Sequence, residues 1–133
     1  MPPESKKPQF VVLHHEMPAT SNRASHWDLM LERNDVLATW ALDQEPTATQ
    51  TENGIAGSAL PDHRKDYLEY EGPVSNDRGH VTRWDRGDYV VESETTDELV
   101  VEMFGELLNG TFELTRNLAQ SDSPEAWTFR AKK

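Results

Sequence analysis

Short apolar runs alternate with polar punctuation along this chain, and the runs keep a two-residue period more often than a helical one. Residues 9–15 contain Phe10-Val11-Val12-Leu13 followed by two histidines and read as a first strand. Residues 16–25, with Pro18, Asn22 and several hydroxyl side chains, read as a loop. Residues 26–32 then alternate, sending Trp27, Leu29 and Leu31 to one strand face and His26, Asp28, Met30 and Glu32 to the other. Arg33-Asn34-Asp35 is turn chemistry ahead of apolar residues 36–42, which predicts a hairpin.

The signal changes after residue 42. Pro46, repeated Thr and Gln, and Asn53-Gly54 predict a long loop over residues 43–57. Residues 60–71 read as a loop that ends as a strand, and 72–79 as a turn. From His80 the pattern is short strands, 81–84, 89–92 and 98–104, with a turn expected at Asp85-Arg86-Gly87. Asn109-Gly110 is the strongest two-residue hairpin signal in the chain. A polar loop, residues 117–124, precedes a last strand over 126–130. The expected fold is mostly β: a small, mainly antiparallel β-barrel with long polar loops and little helix. It would be a single domain over residues 9–133, behind a mobile polar tail of residues 1–8.

Composition narrows the chemistry. At 133 residues one hydrophobic core is affordable without disulfides, and there is no cysteine to make one. Any metal must therefore be held by histidine and carboxylate. No apolar stretch approaches the roughly 20 residues of a membrane span, and the first residues lack a signal-peptide core, so a cytoplasmic protein with no membrane partner is expected. The net charge of −11 argues against broad nonspecific duplex binding, which depends on many Lys and Arg contacts to phosphate. It leaves room for a nucleic-acid end held in one small basic pocket.

Candidate chemistry centres on residues 26–32. His26 and Asp28 share a strand face, and His15 ends the preceding strand. Two imidazoles and a carboxylate suit Mn²⁺, Fe²⁺ or Zn²⁺ and leave coordination positions for water or a substrate oxygen. The plainer alternative is a His–Asp hydrogen bond at a barrel mouth. A second group, His63 and Tyr67, could donate to phosphate oxygens, and a histidine can move a proton near neutral pH. Arg64 adds a planar fork suited to phosphate, against the alternative of ordinary solvation in a polar loop. His14 faces away from His15 in a regular strand and reads as structural, and the four tryptophans read as core or rim.

Taken together, Phe10-Val11-Val12, His15-Glu16, His26-x-Asp28, Leu31-Glu32 and Val36-Leu37-x-x-Trp40-Ala41 resemble the 3′-phosphoesterase domain of bacterial DNA ligase D. The resemblance continues through Asp62-His63-x-x-x-Tyr67, Glu71-Gly72, Trp84-Asp85-x-Gly87, Gly110-x-Phe112-x-Leu114 and Trp127. It implies a small β-barrel with a crescent-shaped pocket that works on DNA 3′ ends with a divalent metal, manganese by preference, zinc or another ion as alternatives. Such domains remove 3′-phosphates and 3′-terminal ribonucleotides. Carried over residue by residue, the resemblance makes His15, His26 and Asp28 the metal ligands. It makes His63 and Tyr67 catalytic and phosphate-contacting, and Arg64 is a candidate beside them. The implied partners are DNA or RNA-terminated DNA 3′ ends. A chain of this length has no room for ligase or polymerase domains, so a separate DNA ligase is the expected co-worker. The alternative is a non-catalytic barrel that binds a DNA end or nucleotide.

Several positions depart from the family pattern. Met30 stands where the family carries an arginine two residues after the aspartate, and methionine cannot donate to phosphate. Pro61 replaces an acidic residue, residues 54–59 contain no arginine, the loop after Glu71-Gly72 is short, and the family's N-terminal charged residues have no clear match. Arg64, Arg23 and Arg78 remain as sources of positive charge. The metal cradle is expected to be intact and the phosphate cradle rebuilt or lost.

Overall fold

The first apolar run explains how the barrel is layered. In a computed structural model describing residues 7–22, 24–74, 78–117 and 125–132, Phe10, Val11, Val12 and Leu13 are all fully buried. A strand with one solvated face would show alternation; this one is covered on both faces and so reads as a continuous apolar stretch. Phe10 and Val12 join the main core with Leu29, Leu31, Tyr89 and Phe129. Val11 and Leu13 face the other way, into a smaller cluster with Met30, Leu37, Leu68 and Val81. The functional residues stand at the edge of that outer cluster.

The strands are β1 (Gln9–Glu16), β2 (His26–Arg33), β3 (Val36–Leu42), β4 (Ile55–Arg64), β5 (Gly72–Pro73), β6 (His80–Glu94), β7 (Glu98–Gly105), β8 (Asn109–Arg116) and β9 (Ala126–Ala131). They pair antiparallel in the order β1-β2-β3-β4-β9-β8-β7-β6, and β6 returns to β1 to close an eight-stranded barrel, with β5 added beside β6. The mostly-β barrel is thus as the sequence predicts. The β2–β3 hairpin also forms, turned by Asn34 in the left-handed region at φ 58. Among the described residues no helix is long and apolar enough to cross a membrane. Residues 1–6 of the expected tail, Arg23 and most of the 117–124 loop lie outside the described residues.

Four expectations are corrected. Residues 43–57 are not a plain loop: a short helix, α1 (Ala48–Asn53), is capped where the Thr47 hydroxyl accepts from the Gln50 amide, and β4 begins at Ile55. Six residues are too few for a helical period to register. Residues 60–71 run in the opposite sense to that predicted: the strand comes first and a 3₁₀ turn, Lys65–Leu68, follows. Pro61 is tolerated in β4 because the pairing with β3 shifts register between Leu37 and Thr39, opposite it.

Asp85-Arg86-Gly87 is no turn but the middle of β6, a single 15-residue strand. The Asp85 carboxylate accepts the amides of Glu106, Leu107 and Leu108 at 3.0, 3.1 and 2.7 Å. That interaction shapes the β7–β8 turn, so Asn109-Gly110, the expected hairpin turn, lies within β8 opposite Met103 and Phe104. Glycine is required at 105, where a Cβ would stand 2.4 Å from an Asp85 oxygen.

Candidate active site

Sheet register assembles the first wall of the site. In the β1–β2 ladder His15 opposes His26, Leu13 opposes Asp28 and Val11 opposes Met30, and opposed residues share a face. The face is the outer one. His15, although eleven residues from His26 in sequence, is therefore its direct neighbour, with ring centroids 4.7 Å apart. His15 Nδ1 lies 3.3 Å from one Asp28 oxygen and His26 Nε2 lies 3.1 Å from the other. One ligand atom from each of the three residues falls within 4.8 Å of the others.

The hydrogen bonds indicate what this cluster is built for. His26 Nδ1 donates to the Ala24 carbonyl at 3.0 Å, and His15 Nε2 donates to the Arg78 carbonyl. In the neutral rings these bonds direct the remaining lone pairs, Nε2 of His26 and Nδ1 of His15, at the Asp28 carboxylate. His26 Nε2 and Asp28 Oδ1 are buried and have no hydrogen-bond partner. Two facing acceptors in a buried site are costly unless a cation lies between them. Histidine ligands whose second nitrogen donates to a backbone carbonyl are the usual outer support of a metal site. Burial alone would raise the Asp28 carboxyl, but the two imidazoles beside it, His15 and His26, outweigh burial and hold it at about 2. The carboxylate is thus ionised at neutral pH, as ligation requires, and the donor set fits a divalent cation.

A second wall faces this cluster. His63 projects from the end of β4 and Tyr67 from the 3₁₀ turn, in edge-to-face contact at 5.7 Å. Both line one hollow of about 160 Å³ with His15, His26, Asp28 and Met30. His63 Nδ1 donates to the Pro61 carbonyl at 2.9 Å, which leaves Nε2 of the neutral ring as an acceptor. Met30 is fully buried and, with Leu60, Val74 and Val81, gives the hollow an apolar floor. The segment carrying Arg78 is held against β1 by a close approach at Gly79, where φ is 89 and a Cβ would stand 2.0 Å from the Glu16 carbonyl oxygen.

The sequence-predicted residues separate here. His15, His26, Asp28, His63 and Tyr67 meet in one hollow, and Arg78 lies at its edge. Arg64 does not line it; it lines the adjoining hollow with Asp66 and Tyr70. Lys65 pairs with Glu32 and Arg86 bonds Gln9 and Glu69, so these cations form no basic patch. Trp84 donates to Glu45. Reasoning from sequence missed the Arg78 carbonyl, which no side-chain pattern could reveal.

Residues 14–116 match the model of the DNA ligase D 3′-phosphoesterase domain. The chain is 30% identical over 114 residues to the multifunctional non-homologous end joining protein LigD of Mycobacterium bovis, covering 80% of this chain and 14% of that protein. The LigD proteins of Mycolicibacterium smegmatis and Pseudomonas aeruginosa are 27% and 26% identical, over 86% and 80% of this chain and 16% and 14% of theirs. The chain thus spans about one seventh of the length of these relatives, and the family match over residues 14–116 takes in both walls of the hollow. It belongs to the DNA ligase D 3′-phosphoesterase domain family.

Proposed function

We propose that this protein is a divalent-metal-dependent phosphoesterase that processes nucleic-acid 3′ ends in DNA repair, removing a 3′-phosphate or a 3′-terminal ribonucleotide. One observation carries the reading. Two buried ligand atoms, His26 Nε2 and Asp28 Oδ1, face each other at 3.1 Å without a hydrogen bond, in a hollow that His63 and Tyr67 close. His15, His26 and Asp28 would hold the ion, manganese by preference, although the same donors suit zinc or iron. Bound there, a divalent ion supplies Lewis acidity toward a phosphoryl oxygen and lowers the pKa of a coordinated water.

The remaining steps belong to the protein's own side chains. Tyr67 donates its hydroxyl to a phosphoryl oxygen and steadies the charge that grows there. His63, oriented through Nδ1 by the Pro61 carbonyl, presents Nε2 to the same group and moves the proton to or from it. Arg78 stands near enough to add charge at the rim. The apolar floor around Met30 excludes water from one side of the group. The 3′-hydroxyl product is the end that a DNA ligase joins, which makes a ligase the natural co-worker.

The test is a labelled primer ending in a 3′-phosphate or a single ribonucleotide, incubated with Mn²⁺ beside a His26→Ala control. Metal-dependent trimming by the wild type alone is expected; equal trimming by the control would sink the reading. A second reading, a barrel that binds 3′ ends without cleaving them, is favoured by one observation, the buried Met30 in place of the family's arginine. Tight binding of a 3′-phosphorylated duplex with no turnover under any divalent metal would select it.

A further inference from the structure

The metal-side hollow borders a second one. This neighbour, lined by Arg64, Asp66, Tyr67, Tyr70, Pro73 and Val74, has a volume of about 350 Å³ against about 160 Å³ for the first. Tyr67 and Val74 belong to both, so the two share a wall one side chain thick. Three rings connect them in successive edge-to-face contacts: His63 with Tyr67 at 5.7 Å and 73°, then Tyr67 with Tyr70 at 5.7 Å and 84°. The Tyr70 hydroxyl donates to the Pro73 carbonyl and fixes the ring, which is nevertheless 37% exposed. Among the described residues no carboxylate forms an ion pair with Arg64.

We propose that this second hollow is the nucleoside subsite of the enzyme: it takes the base of the nucleoside adjoining the phosphoryl group, stacked on Tyr70, with Arg64 at the base's polar edge. The proposal rests on the phosphoryl reading of the first hollow, which is large enough for a phosphoryl group beside its ligands and too small for a nucleoside as well. A base fits the second hollow better than another phosphate does. Arg64 and Asp66 bring opposite charges to the same walls, so their fields largely cancel there. An exposed, immobilised aromatic face is the surface on which bases stack, and it accepts any of them because every base offers a π face. The net charge of −11 points the same way, since affinity for the end must then come from stacking and the metal rather than from a basic track.

Binding, measured on the full chain loaded with Mn²⁺, tests this without depending on turnover. The probe is an oligonucleotide ending in a 3′-methylenephosphonate, which cannot be hydrolysed, with its terminal base intact, replaced by 2-aminopurine, or absent. On the wild type, loss of the terminal base should weaken binding about tenfold, equivalent to about 1.4 kcal/mol, and 2-aminopurine should be quenched. Tyr70→Leu should bind intact and abasic ends alike and lose the quenching. Tyr70→Phe, which keeps the ring and loses the bond to Pro73, should behave as the wild type does and so separates stacking from local folding. Equal base dependence in the wild type and Tyr70→Leu, or none in the wild type, overturns the subsite. Equal binding of phosphonate and plain hydroxyl ends would instead remove the phosphoryl reading, and this inference with it.

Discussion

Two aspartates, Asp28 and Asp85, sit at almost the same depth in the barrel wall, 3% and 4% exposed, and have opposite roles. Asp85 is saturated: its oxygens accept three consecutive backbone amides and thereby fold the β7–β8 turn. Asp28 has one oxygen near His15 and another with no hydrogen bond, 3.1 Å from an equally unpartnered histidine nitrogen. Burying a carboxylate costs several kcal/mol unless its bonding capacity is met. Where the chain meets that capacity itself, the residue is structural. Where it does not, the missing partner is expected from outside the chain, and here the geometry suits a cation.

Exchanging the chemistry at each aspartate breaks the comparison most directly. Asp28→Asn should lose bound metal and reduce metal-dependent phosphoesterase turnover to background, read by metal analysis and by the labelled-primer assay. The metal-free variant should melt at the wild-type temperature or above it, by about 1 kcal/mol of stability, because the new amide can donate to His26 Nε2. Retention of stoichiometric metal by Asp28→Asn would overturn the assignment.

Asp85→Ala should do the reverse. It strips three amides of one acceptor and should cost about 3 kcal/mol, or about 10 °C in melting temperature for a domain of this size. Metal content of the folded fraction should not change. A variant that melts normally would mean the turn is held by its backbone alone. The complementary measurement on the wild type is the effect of metal: Mn²⁺ at a hundred times its dissociation constant should raise stability by about 2.7 kcal/mol, reversed by a chelator and absent in Asp28→Asn.

The contrast between the two aspartates also marks how far the sequence could be read. The barrel class, the β2–β3 hairpin and the placing of His26 with Asp28 follow from two-residue alternation, a local property visible in one strand. His15 could be joined to them only through register, and the alternation that fixes a strand's faces also limits which registers are possible. Asp85 departs from its local signal: Asp-x-Gly is turn chemistry when the side chain bonds its own neighbours, and here the carboxylate bonds amides some twenty residues away. Asn109-Gly110 lies within β8 for the same reason, since the turn before it is set by Asp85. The six-residue α1 was invisible because it is shorter than two helical periods. Arg64 follows His63 directly, and because neighbours on a strand point to opposite faces it lines the next hollow.

Met30 makes the sharpest remaining test, since it stands on the same face as Asp28, one alternation further along β2. Its side chain is buried with Val11, Leu13, Leu37, Leu68 and Val81, yet it also reaches the floor of the hollow. Met30→Arg would place a guanidinium where its stem can stay in the apolar cluster and its head can reach the phosphoryl position. One added charge-assisted hydrogen bond should improve inhibition by inorganic phosphate, and turnover of a 3′-phosphate end, by about tenfold. Stability should fall, because part of a charged side chain now displaces a well-packed apolar one. The expected gain is larger for a phosphomonoester, with its greater negative charge, than for the diester of a terminal ribonucleotide. Measured as the ratio of the two rates in the variant and the wild type, an unchanged ratio would mean that position 30 does not face the substrate. The apolar floor would then serve only the packing of the 3₁₀ turn that carries Tyr67.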